Sequence, residues 1–379
     1  MFKWALAAGA LLLGGTVVAQ AEVTTYPSEK GTISVEVVSK GLDHPWALTF
    51  LPDAQSMLVT ERPGRLRVLK LDGSLSDPLA GLPDVYNRSQ GGLMDVALSP
   101  SFTEDRFVYL SYSEGGGDGD KAGTAVGRGK LSTDMTRVEG FTVIFRQEPK
   151  LSTGAHFGSR LVFDREGHLF IALGENNQRM TAQELDKLQG KLVRINADGT
   201  IPNDNPFIGT SGARPEIWSY GHRNQQGAAL NPWTGQVWTN EHGPRGGDEV
   251  NIPLAGKNYG WPIATHGINY SYAPIPEAKG KDVQGTEQPL YVWEKSPGIS
   301  GMAFYSADRF PAWKKSVFIG ALAQENLIRL QLEGDKVVHE ERLLEQKGAR
   351  IRDVRQGPDG YLYVLTDSSE GEVLKVGLE

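Results

Sequence analysis

The chain has 379 residues, 39% of them hydrophobic, which is enough for a large core. It has no cysteine, so disulfides and thiolate chemistry are excluded. Its 39 basic and 46 acidic residues give a net charge of −7, which argues against a nucleic-acid partner, because phosphate binding needs a basic surface.

The N-terminus, "MFKWALAAGALLLGGTVVAQAEV", reads as a secretory leader. Lys3 precedes an apolar run from Trp4 to Val18, and Ala19 and Ala21 supply the small residues of a cleavage site before Glu22. That run is shorter than the ~20 residues of a membrane span. Residues 1–21 are therefore expected to be a signal peptide and residues 22–379 a single domain. The periplasm is the expected location, without stable membrane insertion.

Six hairpin patterns follow in order, each a short apolar strand, a turn with Pro, Asp or Gly, and a second apolar strand. They are "WALTFLPDAQSMLVTER" from Trp46, "LMDVALSPSFTEDRFVYLSYS" from Leu93 and "SRLVFDREGHLFIALGE" from Ser159. "GAALNPWTGQVWTNEHG" from Gly227, "GMAFYSADRFPAWKKSVFIGAL" from Gly301 and "DVRQGPDGYLYVLTD" from Asp353 complete the set. Further strands lie between them, such as 65–71, 190–197 and 326–334. The repeat predicts an all-β fold, a six-bladed β-propeller of four-stranded antiparallel blades.

Propeller loops converge at one end of the channel, so polar residues beside the hairpins become candidates for one site. His156, between Gly154 and Gly158, can act as a general base or merely bond a loop backbone. In "GHRN", Arg223 offers a planar fork and Asn224 both a donor and an acceptor, unless both are structural. Arg350 and Arg352 share one strand face and suit a multiply charged acid, or are satisfied internally by Glu345 or Asp353. Gln90 precedes the second hairpin. The stretch "TNEHGPRGGDEVN" (239–251) suits a hard cation: Gly243 and Pro244 can turn carbonyls to one point, and Asp248 and Glu249 add carboxylates. A solvated acidic loop is the alternative. The absence of cysteine and of an HxxxH pair argues against zinc. Together these residues suit a carboxylated cofactor held over a metal.

The motifs "QGGLMDVALSP", "HFGSRLVF", "GHRNQQG", "NEHGPRGGDEVN", "KNYGWP" and "RIRDVRQGPDGYLYVLTD" resemble the soluble aldose sugar dehydrogenases that use pyrroloquinoline quinone (PQQ). The resemblance runs from "GLDHPWALTF" to "EGEVLKV" and implies a six-bladed propeller. It implies His156 as general base, with Arg223 stabilising charge on the quinone oxygen. Gln90, Arg223, Asn224, Tyr270, Arg350 and Arg352 fall at cofactor-contact positions, with the backbone of Ala321 and Ala323. Gly243 and Pro244 match carbonyl ligands of a Ca²⁺ that touches PQQ, and Glu249 and Tyr259 match ligands of a second Ca²⁺. His242 is thereby set aside as the base. Relatives carry lysine where Ala323 stands, which removes one cation from the pocket. The implied reaction oxidises an aldose at C1 to a lactone. Its rivals are a metal-dependent lactonase and a non-catalytic glycan-binding propeller. The sequence names no electron acceptor, and a monomer or a homodimer fits equally.

Overall fold

A computed structural model describes residues 23–117 and 119–379, so the leader expected over residues 1–21 lies outside the described residues. Among the described residues, no helix is long and apolar enough to cross a membrane.

Strands β1 (Val23–Ser28) and β2 (Gly31–Leu42) form an N-terminal hairpin. One sheet holds β3 (Pro45–Phe50), β4 (Ser56–Glu61) and β5 (Arg65–Lys70). The next holds β6 (Leu93–Leu98), β7 (Phe107–Gly115), β8 (Lys121–Leu131), β9 (Val138–Arg146) and the short β10 (Leu151–Ser152). The third holds β11 (Gly158–Phe163), β12 (His168–Leu173), β13 (Lys191–Asn196) and β14 (Ile217–Tyr220). The fourth holds β15 (Gln225–Leu230), β16 (Val237–Glu241), β17 (Asp248–Asn251) and β18 (Tyr291–Trp293). The fifth holds β19 (Ile299–Tyr305), β20 (Ser316–Ala321), β21 (Asn326–Glu333) and β22 (Lys336–Leu343). Last come β23 (Ile351–Gln356), β24 (Leu362–Thr366) and β25 (Gly371–Leu378).

These six antiparallel sheets are the blades of a six-bladed β-propeller. Each predicted hairpin is the innermost pair of one blade. The inner strands β3, β6, β11, β15, β19 and β23 touch in succession round the ring. The last blade is completed by the N-terminus, because β2 pairs antiparallel with β25 and β1 adds a fifth strand. In the first blade residues 75–79 take the outer position without forming a regular strand: Ser76 N bonds Val68 O at 2.8 Å and Leu79 N bonds Leu66 O at 2.9 Å.

The core lies largely between blades. Trp238 of β16 meets Phe304 of β19 edge-on, with centroids 5.1 Å apart, in a cluster that also takes residues from β20 and β21. Such aromatic contacts bury large areas at defined angles, so they fix each blade against the next.

All six innermost pairs carry a register shift near the start of the inner strand. A bulge bends the strand and re-aims the extra side chain. The bulged residues include Trp46, Met94, Gln226 and Arg352, which line a cavity at one mouth of the channel. Asp95 and Arg160 are bulged too, and they close the channel below that cavity. Arg160 lies 3.1 Å from both Asp95 and Asp353, and Arg355 lies 2.9 Å from each. Two cations alternate with two anions, so each buried charge has opposite neighbours.

Candidate active site

The cavity above this plug measures about 700 Å³. A second of about 640 Å³ adjoins it, and a third of about 20 Å³ has room for little more than one ion or water. Pro244 lines all three, and Gly243 lines the first and third. The Gly–Pro turn of the 239–251 stretch is thus the common wall of the site.

His156, in the loop leading into β11, lines none of these three cavities itself, but its neighbours Gln90 and Phe157 line the first and Glu175 the second. Its φ is 57°, in the left-handed region that a non-glycine residue occupies at a cost of order 1–3 kcal/mol. The surroundings hold it there: its N–H bonds Gln90 Oε1 at 2.9 Å, and its carbonyl accepts Asn176 Nδ2 at 3.0 Å. Gly174 is required beside it, since a Cβ at 174 would stand 2.0 Å from the His156 carbonyl oxygen. The imidazole Nδ1 lies 2.7 Å from Glu175 Oε2, and the ring is buried. A carboxylate at Nδ1 places the ring proton there and leaves Nε2 as the free acceptor. Glu175 itself lines the second cavity with Arg223 and Trp261.

Arg350 and Arg352 both reach Asp367, at 3.2 and 2.9 Å. The internal partner is therefore Asp367, which lies past the end of β24, rather than Glu345 or Asp353. Burial pushes the Asp367 carboxyl up, but Arg352, His44 and Arg350 together pull it well below the usual range. Arg62 also lines the first cavity and makes no ion pair among the described residues, and its Nε is buried there without an acceptor. Arg352 Nε and Ser296 Oγ on the same wall are orphaned likewise. Buried donors without acceptors are uncommon, so this wall fits a ligand rich in oxygen anions.

Arg223 is buried over Trp261, with 5.3 Å from its guanidinium carbon to the ring centroid. Its Nη1 donates to the carbonyls of His242 and Gly243, at 3.1 and 2.8 Å. His242 is no base: burial pushes its imidazole down to about 4, with Arg223 adding to the effect against Asp248. Its Nε2 meets the Ile299 carbonyl. Asp248 is committed to the backbone, accepting Gly243 N at 2.9 Å, Gly298 N at 2.8 Å and Ile299 N at 3.1 Å.

The smallest cavity is lined by three carboxylates: Glu287, which pairs with Lys257 at 2.9 Å, and the pair Glu241 and Glu249. Asn251 Nδ2 bridges Glu241 and Glu249, at 3.2 and 2.9 Å, while its own Oδ1 has no partner among the described residues. Burial, then the neighbouring Glu241, holds the Glu249 carboxyl well above its ordinary range. A buried pair of like charges with an orphaned oxygen beside it fits a hard cation with oxygen ligands. Tyr259 lines the same cavity, but its hydroxyl donates to Ile252 O at 2.6 Å and accepts Leu254 N at 2.9 Å. Only its carbonyl is left for a cation.

Of the residues singled out in the sequence, Gln90, Gly243, Pro244, Tyr270, Ala323, Arg350 and Arg352 line the first cavity. Arg223 lines the other two, and Glu249 and Tyr259 line the smallest. Asn224 is buried as a bracket, its Oδ1 accepting Gly158 N at 3.2 Å and Gln226 Nε2 at 3.1 Å. Ala321 lies fully buried inside β20, so the cavity meets Leu322 and Ala323 just past the strand end. Sequence reasoning missed Glu175, Glu241, Arg62 and Asp367. Three of these are acids at or just past the end of the second strand of their blade, and each bonds a histidine: Glu175 to His156, Glu241 to His222 at 2.8 Å, Asp367 to His44 at 3.0 Å. An acid recurring at that place in the repeat was the signal available.

Replacing Glu175 by Gln should leave the fold intact and slow a His156-dependent step on the order of 100-fold, because the ring loses its anionic anchor. Cofactor affinity measured beside the rate should stay unchanged; a normal rate would remove Glu175 from the role.

Residues 42–375 match the family model described as glucose/sorbosone dehydrogenase. The aldose sugar dehydrogenase YliI of Escherichia coli (strain K12) is 63% identical over 345 residues, covering 91% of this chain and 93% of that protein. The apo crystal structure of the soluble aldose sugar dehydrogenase from Escherichia coli superposes with a TM-score of 0.90 at 62% identity, covering 92% of this chain and all of that one. The PQQ-bound aldose sugar dehydrogenase from Streptomyces coelicolor superposes with a TM-score of 0.75 at 27% identity, over 91% of this chain and 98% of that one. The chain belongs to the glucose/sorbosone dehydrogenase family.

Proposed function

We propose that the chain is a PQQ- and Ca²⁺-dependent dehydrogenase that oxidises aldoses at C1 to lactones. The observation that carries this reading is the wall of orphaned donors in the first cavity, Arg62 Nε, Arg352 Nε and Ser296 Oγ; a histidine held by a buried carboxylate is joined to that cavity through Gln90, which accepts its N–H. PQQ is a planar tricarboxylate, so its anionic rim suits that wall. Arg350, Arg352 and Gln90 would hold it, with Tyr270 at the mouth. The Gly243 and Pro244 carbonyls would face one Ca²⁺. Glu241, Glu249, Asn251 Oδ1 and the Tyr259 carbonyl would hold another. When bound, PQQ would supply the hydride acceptor and Ca²⁺ a Lewis acid to polarise it.

The chain's own residues do the rest. His156 takes the proton of the anomeric hydroxyl at Nε2, while Glu175 keeps Nδ1–H in place and stabilises the imidazolium that forms. Arg223 turns its guanidinium toward the oxygen on which negative charge grows. Trp261 and Tyr270 offer apolar faces to the sugar in the second cavity. The leader-like residues 1–21 of the sequence support the periplasm as the location of this chemistry.

The test is to add PQQ and Ca²⁺ to purified apoprotein and follow dye reduction with aldoses. Activity that needs both additions supports the reading. No binding of PQQ even at high micromolar concentration would overturn it. A lactonase, which needs several carboxylates on its metal, is disfavoured because two of the three carboxylates on the first cavity wall, Asp248 and Asp367, are already engaged, by three backbone amides and by Arg350, Arg352 and His44, which leaves Glu294 alone.

A further inference from the structure

The cations on the wall of the first cavity are not equally available. Arg350 and Arg352 share Asp367, so part of their charge is already neutralised. Lys295 lines the same cavity, and its ammonium makes no ion pair or hydrogen bond among the described residues. Next to it, the Ser296 hydroxyl is buried and has no partner. One exposed lysine is a solvated surface charge by default. An orphaned buried hydroxyl in the adjacent residue is a separate observation, and both groups face one cavity.

This corner is fixed against the end of β20. Pro297 O accepts Ala323 N at 2.9 Å and Gln324 N at 3.1 Å, and Gly298 O accepts Leu322 N at 2.8 Å. Gly298 has φ 70°, and a Cβ there would stand 2.9 Å from Ala323 N, so the two segments lie in direct contact. The loop after β18 thus presents Lys295 and Ser296 beside Ala323, whose methyl carries no charge. Glu294 also lines the cavity, without an ion pair among the described residues, and opposes an anion there.

We propose that Lys295 and Ser296 form a carboxylate-binding corner that takes one carboxylate of the cofactor. The ammonium supplies charge and the hydroxyl a short, directed donor. This rests on the reading of the cavity as a PQQ site. The corner gives the β20 side of the cavity a cation that β20 itself does not supply.

The experiment titrates apoprotein in Ca²⁺ with PQQ and follows quenching of tryptophan fluorescence, since Trp46 lines the cavity. K295Q is expected to weaken PQQ binding about tenfold, toward the low end for a charge-assisted bond because Lys295 is exposed. The loss should shrink at high salt. Adding A323K to K295Q should restore most of the affinity, because it returns a cation to the same wall. E294Q should tighten binding at low salt. Wild-type affinity in K295Q overturns the proposal. So does a loss that A323K leaves uncorrected, which would trace to loop packing. If the wild-type protein binds no PQQ, the reading of the cavity itself fails, a result distinct from either.

Discussion

Replacing His156 by Gln is expected to slow reduction of bound cofactor by an aldose about 10²–10⁴-fold, the usual contribution of a positioned general base. The reasoning is geometric. Glu175 fixes the ring through Nδ1 at 2.7 Å, so Nε2 is the atom left to take a proton. The backbone at φ 57° aims the ring, and the bond its N–H donates to Gln90 Oε1 holds that conformation. Gln fits the left-handed region less readily than Asn, so His156→Asn serves as the companion variant. Both should bind PQQ nearly as tightly as the parent and both should be slow. Stopped-flow absorbance of the cofactor reads the step directly. A wild-type reductive rate in either would strip His156 of its role.

The second large effect is expected on removing calcium. In the unfolded chain Glu249 titrates near 4.5, and in the metal-free fold its carboxyl ionises well above that, because burial and Glu241 disfavour the charge. Between those two values the folded state holds one more proton than the unfolded state. Stability of the calcium-free protein therefore falls as pH rises through that window. A cation between Glu241 and Glu249 displaces the proton and removes the repulsion. At free Ca²⁺ about a hundredfold above Kd, binding should add ~2.7 kcal/mol. Thermal melts between about pH 4 and about pH 8, in Ca²⁺ and in chelator, should diverge as pH rises. Glu249→Gln should erase most of the difference. Superimposable melts for the wild-type protein would show that this cavity takes no calcium.

The hairpins were legible because Gly, Pro and Asp mark turns between apolar runs, and the inner pair of every blade kept that signature. Strand β2 was not legible as the closing strand. Its alternation says strand, but its partner β25 lies at the other end of the chain, and no local pattern encodes that pairing. The bulges were hidden for a related reason, since an extra residue in a strand leaves the composition unchanged. Yet the bulges decide that Trp46, Gln226 and Arg352 floor the cavity while Asp95 and Arg160 seal it. His156 and the Gly243–Pro244 turn could be placed near a channel from their loops and the family resemblance. Glu175 could not, because its value lies in a contact across its blade. Ala321 and Ala323 have the same strand parity, but β20 ends at Ala321, so their environments differ.

The pairing of Ile33 with Leu378 also sets a clock on folding. β2 is made more than 300 residues before β25, so the ring cannot be fastened until β25 has followed it. Until then β2 carries an unpaired edge, and contacts this distant in sequence form late. The same blade carries Arg350, Arg352 and Asp367. The wall of the first cavity is thus completed only at closure, and a chain truncated before β25 should never assemble it.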